Sequence, residues 1–352
     1  MEKEARPTRG FQVFTNNNNL AINLIRIIST FLIVLAHINS NGEPNWIRVF
    51  YYTFTRMGVP LFFMCIGCLL LSKRESISGF LKKHLLPLLV SFFVWSAIYD
   101  FMGNGVFQNG ITLLQAFKTF LHILKSATVG YYWFFYSLIG IYLFVPVLWA
   151  FLPKKRSIEI NYYIGLWLLG FSIMPFVRST IGMNYYGLEP PFVQRYLGYF
   201  LLGYYLAGLQ LNAKSLLFTL GLFVVCFAFS FSVFYFNLPP TDNEDFFRSY
   251  MSINIVCMAG SFYALLNWAG KYLPKKISVP LEIIDQSIFG IYLGHLIILG
   301  KIQTFMVYMG LQSGIFSAAP VIALIAFVVS FILITLLRKI PVIKYAIPHI
   351  GK

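Results

Sequence analysis

Charged side chains are scarce in this chain, and acidic ones most of all. Asp, Glu, Lys and Arg make up 11% of the 352 residues, and only 12 residues are acidic. A soluble globular protein carries about 25% charged residues, so an ordinary soluble domain is excluded. Hydrophobic residues account for 58% of the chain and recur in runs of about twenty, which is long enough for a helix to cross a bilayer. The composition predicts an all-α, polytopic integral membrane protein.

Several familiar signals are also missing. The four cysteines, Cys65, Cys68, Cys226 and Cys257, all lie in apolar runs, so they predict no disulfide framework. The pair Cys65-Ile-Gly-Cys68 is more typical of small packing residues than of a redox site. There is no internal repeat, P-loop, G-x-S-x-G motif or metal-ligand spacing, and we expect neither a metal nor a bound cofactor. No cleavable signal peptide is visible at the N-terminus.

Hydropathy predicts about ten transmembrane helices around a polar cavity. We place the spans at 20–39, 47–71, 84–103, 131–152, 160–177, 192–211, 214–236, 250–269, 286–307 and 316–337. The predicted domain organisation is a cytoplasmic tail over 1–19, one membrane domain over 20–338 and a second cytoplasmic tail over 339–352.

Positive charge is unevenly distributed between alternate loops. With the N-terminus in the cytoplasm, 18 Lys and Arg residues fall on the cytoplasmic side and five on the outer side. This asymmetry follows the positive-inside rule and predicts that both termini are cytoplasmic. The formal net charge of +15 is thereby explained by topology, so we expect no nucleic-acid partner.

The first span carries two ionisable side chains, Arg26 and His37, at a spacing of eleven residues. Eleven steps of about 100° bring both side chains onto one face of a helix, about 16 Å apart along its axis. Charged groups inside a membrane are costly and usually mark function. The alternative is structural, with Arg26 reaching back to the near interface and His37 capping the far end of the helix.

Further polar residues accompany later spans. Arg56 lies in the second span, where structural pairing is as plausible as function, and Pro60 is expected to kink that helix. Lys82 and Lys83 precede the third span and fit either positive-inside anchors or a cytoplasmic phosphate site. The ninth span contains His295, which by itself is more typical of a hydrogen-bonded core residue than of a catalyst.

A segment over 111–126 is too polar to span the membrane and predicts an outer interfacial helix. We expect His122, on its polar face, and His349, near the C-terminus, to be solvated. The acidic cluster of Asp242, Glu244 and Asp245 predicts a solvated outer loop, and the alternative is a contact with a polar acceptor.

Several stretches together resemble acyltransferase family 3, the bacterial integral-membrane acyltransferases, in the stand-alone form without a fused soluble domain. The family's Arg-x10-His motif is matched by Arg26 and His37. Its Arg followed by Val-Pro-Leu-Phe-Phe-Met and a Gly is matched by Arg56, Pro60, Phe62, Phe63 and Gly67. Lys82 and Lys83 match a basic stretch loosely, because His84 and Leu85 stand where further Arg is common. The later matches are Tyr132–Tyr136 with Tyr142 and Pro146, Tyr196–Gly203, and Gly290, Tyr292 and His295.

The resemblance implies transfer of an acyl group, commonly acetyl from cytoplasmic acetyl-CoA, to a hydroxyl of an extracytoplasmic glycan or lipid-linked sugar such as O-antigen or exopolysaccharide. It implies a multi-pass protein of the bacterial cytoplasmic membrane whose partners are acyl-CoA, a sugar acceptor and the bilayer. Acyl-CoA would be a substrate, not a resident cofactor.

We assign candidate roles on this basis. His37 and Arg26 are the candidate catalytic residues, because a neutral imidazole accepts a hydroxyl proton or holds an acyl group, and a guanidinium holds anionic or carbonyl oxygens. Arg56, Lys82 and Lys83 are candidates for donor binding. Candidate cavity or acceptor contacts are Trp133, Tyr136, Arg195, Tyr292 and His295. The rival interpretation is a multi-span transporter in which the buried Arg residues bind an anionic solute or a lipid-linked sugar.

Overall fold

The computed structural model describes residues 16–38, 43–103, 112–125, 127, 130–152, 158–181, 195–237, 245–310, 318–341 and 343–348. Over these residues the regular structure is helical and includes no strand. The α-helices are α1 (Asn16–Ala36), α2 (Asn45–Thr55), α3 (Gly58–Leu71), α4 (Ile77–Phe80), α5 (Leu86–Gly103), α6 (Leu113–Lys125), α7 (Trp133–Phe151), α8 (Ile158–Leu168), α9 (Met174–Ile181), α10 (Leu197–Ala207), α11 (Ala213–Tyr235), α12 (Asp245–Arg248), α13 (Ile253–Gly270), α14 (Ser278–Tyr308) and α15 (Ala319–Leu337). Two π-helical turns, Leu81–Leu85 and Leu169–Ile173, join α4 to α5 and α8 to α9.

The predicted spans reappear as helices. Eight helical segments of the described chain are long and apolar enough to cross a membrane, and two shorter apolar helices, Leu20–Ala36 and Leu197–Ala207, occupy the positions of the other two predicted spans. The all-α polytopic class is therefore confirmed. Two helices begin earlier than hydropathy predicts, at Ile77 and Ser278, because backbone hydrogen bonding continues through polar side chains that a hydropathy window excludes.

The chain breaks between α2 and α3, at Arg56 and Met57. Pro60 is the third residue of α3, in the first turn, where a backbone N–H has no partner within the helix. The sequence predicts a kink at Pro60. In the structure the helix is instead interrupted before Pro60, and Arg56 lies in the interruption, outside the regular helix.

Glycine allows α3 and α10 to approach each other closely. A methyl group added to Gly67 would overlap the backbone of Phe200, and one added to Gly203 would overlap the backbone of Met64. Small residues permit such close helix packing in a membrane, where apolar burial alone gives little attraction between helices. Cys65 and Cys68 are buried free thiols of α3, as packing residues are expected to be.

The helix α1 lies at the centre of the bundle, against α14, α3 and α13. Its N-terminal half packs closely enough on α13 that a methyl group at Gly270 would overlap Ala21. Farther along, the Ser29 hydroxyl donates to the Gly58 carbonyl at 2.8 Å. These contacts fix α1 on several sides at once and therefore fix the side chains that it carries.

Basic side chains join helices to one another at one end of the bundle. Arg74 donates to the carbonyl of Leu152, Lys271 to Gln210, and Arg338 to the carbonyl of Gln286 within α14. We call the end that holds these residues, together with Lys82 and Lys83, the basic end. The opposite end, which holds His37 and the first residues of α2 and α7, is called the His37 end.

The interfacial segment is confirmed as a helix, α6, and its apolar side chains are exposed, including Leu113 and Phe117. His122 is 49% exposed, as a solvated side chain would be, but it also has a protein partner, which the prediction did not include. Its Nδ1 lies 2.8 Å from Asp100 Oδ1. His349 and the acidic pair Asp242 and Glu244 lie outside the described residues.

Candidate active site

A buried ion pair joins α1 and α14. Arg26 Nη1 lies 3.1 Å from Asp285 Oδ2, and the two side chains are 1% and 0% exposed. Each ion alone would cost several kcal/mol to bury, and the pair recovers much of that cost only because the two charges meet. Asp285 escaped the sequence prediction because it stands one residue before the predicted ninth span, whereas the helix that carries it begins at Ser278.

A histidine pair forms the second contact between the same two helices. His37 Nδ1 lies 2.7 Å from the carbonyl oxygen of Ile33, and His295 Nδ1 lies 2.6 Å from that of Tyr292. A carbonyl oxygen only accepts, so both Nδ1 atoms carry protons. The two rings meet at 3.2 Å between His295 Nε2 and His37 Nδ1, where the neutral Nε2 accepts.

This arrangement decides which ring nitrogen can react. With its Nδ1 proton shared between Ile33 and His295, neutral His37 keeps its unprotonated lone pair on Nε2. A proton added to His295 Nε2 would face the proton on His37 Nδ1. The pair therefore takes up an additional proton at His37 Nε2.

The two contacts have nearly the same spacing on both helices. Arg26 lies in α1 and His37 directly follows its last residue, eleven positions on, while Asp285 and His295 are ten apart on α14. At about 1.5 Å per residue these separations are about 16 and 15 Å, so the helices run parallel and meet at both levels. Arg26 and His37 thus both contact residues of α14.

Aromatic rings surround the histidine pair. The ring of Tyr131 lies edge-on to His37 with 4.0 Å between centroids, and the Tyr292 hydroxyl donates to the Tyr131 carbonyl at 3.3 Å. Trp133 stacks on Tyr196 at 5.0 Å and lies 6.1 Å from Tyr250. The structure thus gathers predicted Tyr292, His295 and Trp133 at one end of the bundle, together with unpredicted Tyr131 and Tyr250.

The other two predicted cavity residues are placed differently. Arg195 precedes Tyr196, its side chain is exposed, and its backbone carbonyl accepts from Trp167 Nε1 at 2.8 Å. Tyr136 donates its hydroxyl to the carbonyl of Ile123 on α6, and its ring packs on Phe92. Tyr136 therefore joins α7 to the interfacial helix.

Arg56 lies toward the His37 end. Its guanidinium donates to the Tyr52 hydroxyl, and its central carbon is 4.5 Å from the Tyr52 ring centroid and 5.2 Å from that of Tyr250. A guanidinium over aromatic faces gains cation–π stabilisation. Arg56 precedes α3, whereas Lys82 and Lys83 follow its far end, and α3 is 14 residues or about 21 Å long. The structure does not bring Arg56 together with the two lysines with which it is predicted to bind the donor.

The lysines lie in the π-helical turn at the basic end. Lys83 Nζ is 2.8 Å from Glu75 Oε1, and His84 Nε2 is 3.4 Å from Glu75 Oε2. The hydrogen bond from Lys83 lowers the pKa of the Glu75 carboxyl, so Glu75 is ionised and offsets part of the local positive charge. Lys82 is exposed beside this pair.

Comparison with known proteins gives one match. A family model described as "Acyltransferase domain" matches residues 19–339 of the 352-residue chain. No curated protein and no solved structure matches the chain.

Proposed function

The chain belongs to acyltransferase family 3, and we propose that it moves an acyl group, acetyl in the simplest case, from acyl-CoA to a hydroxyl of a glycan or lipid-linked sugar outside the cytoplasm. The observation that carries the mechanism is the histidine pair, which leaves a lone pair on His37 Nε2. His37 is half-buried beside Tyr131, at the end of the bundle where an outer acceptor would arrive.

In the proposed reaction, His37 Nε2 removes the proton from the acceptor hydroxyl as its oxygen attacks the thioester carbonyl. A C–O bond forms, the C–S bond breaks, and the departing thiolate of coenzyme A takes up the proton. A sugar hydroxyl is a weak nucleophile at its own pKa, so a positioned base accelerates this step by about 10² to 10⁴. His295 positions His37, because it accepts from the Nδ1 proton and keeps Nε2 available.

For Arg26 we propose a role in holding carbonyl or phosphate oxygens of the donor. Asp285 Oδ2 accepts from Arg26 Nη1 and holds the guanidinium between α1 and α14. A planar guanidinium binds oxygen pairs with defined geometry, which a flexible ammonium group does not. Support for this role comes from the contact of Arg26 with α14, which His37 also contacts.

We propose that the basic end faces the cytoplasm of a bacterial cell and that the His37 end faces outward. Support comes from the charge asymmetry, since Lys and Arg concentrate in loops on the cytoplasmic side. Acyl-CoA would then arrive at the basic end, and its long, thin thiol arm would carry the acyl group toward His37.

Membrane vesicles test the function and the orientation together. Inverted sealed vesicles, which expose the cytoplasmic face, should transfer label from radiolabelled acetyl-CoA to glycan or lipid-linked sugar, whereas right-side-out vesicles should not. Vesicles that contain His37→Ala at equal protein level serve as the control. Absence of label in inverted vesicles and after permeabilisation would contradict acyl transfer. Label in right-side-out vesicles alone would contradict the orientation.

The lysines of the π-helical turn should matter for donor affinity. Replacing Lys82 and Lys83 with glutamine removes two charges from the basic end and should raise the apparent KM for acyl-CoA several-fold, with a smaller change in kcat. The effect should shrink at high salt, because the Debye length falls from about 10 Å at 0.1 M to about 3 Å at 1 M.

A matched control removes the same charge at the same end. Lys275→Gln with Lys276→Gln changes two exposed lysines and should leave the KM for acyl-CoA unchanged. If this control raised KM and the Lys82 and Lys83 variant did not, the donor phosphates would bind beside Lys275, and Lys82 and Lys83 would serve as anchors of the third span.

A further inference from the structure

Two of the four cysteines meet in the contact between α11 and α13. Cys226 belongs to α11 and Cys257 to α13, 31 positions further along the chain, and both are free thiols that are partly exposed. The two thiols are hydrogen-bonded to each other. The sulfur atoms of a disulfide lie about 2 Å apart, and hydrogen-bonded thiols approach that separation through small side-chain rotations. The pair is therefore placed to form a bond between the two helices.

Contacts on either side of the thiols fix the register of α11 and α13. Phe223 stacks on Phe262 with 5.3 Å between ring centroids, and Asn254 Nδ2 donates to Ser230 Oγ at 2.8 Å. Residue numbers rise along α11 as they fall along α13, so the two helices are antiparallel. The cysteine of α11 lies four residues before Ser230, and that of α13 lies three residues after Asn254. Residues three or four apart share one face of a helix, so both thiols face the same contact.

The position of the pair along α11 determines which reagents reach it. The helix has 23 residues, and Cys226 lies about 20 Å from its first residue and about 14 Å from its last. Only 11% of the apolar window of α11 is buried inside the protein, so a membrane-spanning α11 presents most of its surface to lipid. Cys65 and Cys68 of α3, by contrast, are 0% and 1% exposed. A reagent dissolved in the bilayer therefore reaches the thiols of α11 and α13 and not those of α3.

We propose that Cys226 and Cys257 form an oxidative modification site, at which an apolar organic hydroperoxide dissolved in the bilayer converts the two thiols into a disulfide between α11 and α13. One sulfur attacks the peroxide, the O–O bond breaks, and the thiol becomes a sulfenic acid while its proton goes to the departing alcohol. The second sulfur then displaces the sulfenic hydroxyl, which leaves as water with the second thiol proton. Two thiols and one hydroperoxide give one disulfide, one alcohol and one water. The site goes beyond acyl transfer, in which neither cysteine has a proposed role.

The test uses cumene hydroperoxide as the apolar probe, added to membranes that contain the whole wild-type protein. The remaining thiols are then alkylated, and the peptides are identified by mass spectrometry without reductant. The expected product is a peptide pair that joins Cys226 to Cys257, while Cys65 and Cys68 are recovered in alkylated form. Tetrathionate, a charged two-electron oxidant, is the matched probe and should give at least about tenfold less of this product, because hydrocarbon excludes an anion.

Variants check that the oxidation needs both thiols. Cys226→Ser and Cys257→Ser should each abolish the linked peptide, and Cys65→Ser, the matched control, should leave its yield unchanged. No linked peptide in wild type after cumene hydroperoxide would overturn the proposal, and this result needs no variant to fold. Equal yields with tetrathionate would overturn the route through the bilayer. A disulfide-linked dimer on a non-reducing gel, in place of a link within one chain, would assign the oxidation to contacts between copies and would overturn the pairing.

Discussion

Replacing His37 with alanine should lower acyl transfer by about 10² to 10⁴, the contribution typical of a positioned general base. The reason is local: in the His37–His295 pair only His37 Nε2 has an available lone pair, and alanine removes it. The side chain is half-buried near the end of α1, so the fold should survive its loss. Transfer of label from acetyl-CoA in inverted vesicles measures the effect at equal amounts of inserted protein.

A second histidine at the same end provides the control. His122→Ala removes an imidazole of the interfacial helix α6 that pairs with Asp100 on α5, and transfer should continue at the wild-type rate. His295→Asn should give an intermediate loss, because the asparagine oxygen can still accept from His37 Nδ1 while it fits the site less well. Near-normal transfer by His37→Ala would make His37 a structural residue, and the base would have to be sought elsewhere.

Asp285→Asn should destabilise the protein strongly. It leaves the Arg26 charge buried without its carboxylate, and breaking a buried ion pair in this way costs about 3–5 kcal/mol. We expect a lower unfolding temperature in detergent and a lower yield of inserted protein. Glu75→Gln is the matched control, because it breaks the more exposed pair with Lys83, which is worth about 0–1 kcal/mol.

A double variant separates stability from chemistry. Arg26→Met with Asp285→Leu replaces the buried pair with apolar side chains of similar size and should recover most of the lost stability. Transfer should stay low in this variant, and Arg26→Lys, which keeps the charge but loses the planar fork, should also be strongly impaired. Recovery of transfer together with stability would show that the pair serves the fold alone and would contradict the donor-holding role of Arg26.

The fold was largely predictable, because a bilayer requires long apolar helices and Lys and Arg report loop topology. What the apolar runs could not reveal is where a helix extends beyond its apolar part. The helix α14 begins at Ser278, eight residues before the predicted span, and the extension contains Asp285. An apolar run ends at a carboxylate, but the backbone hydrogen bonds of a helix continue past it.

The candidate site was predictable as a set of residues but not as a set of contacts. His37 and His295 are 258 residues apart in the chain, and the face of α1 that His37 occupies says nothing about which helix covers it. For Arg56 the predicted grouping was wrong. Arg56 is predicted to bind the donor together with Lys82 and Lys83, but the break before Gly58 places its guanidinium over the rings of Tyr52 and Tyr250. One regularity was available in advance: Asp285 precedes His295 by ten residues, much as Arg26 precedes His37 by eleven.

That regularity has a mechanical consequence. Because α1 and α14 are joined at two levels about 15 Å apart, any piston-like sliding of one helix along the other would stretch the ion pair and the histidine contact together. A displacement of one helical turn, about 5.4 Å, would carry both beyond hydrogen-bonding distance. The two contacts therefore oppose sliding of α1 and α14 along each other. Any conformational change that keeps both contacts must then move other helices relative to α1 and α14 together.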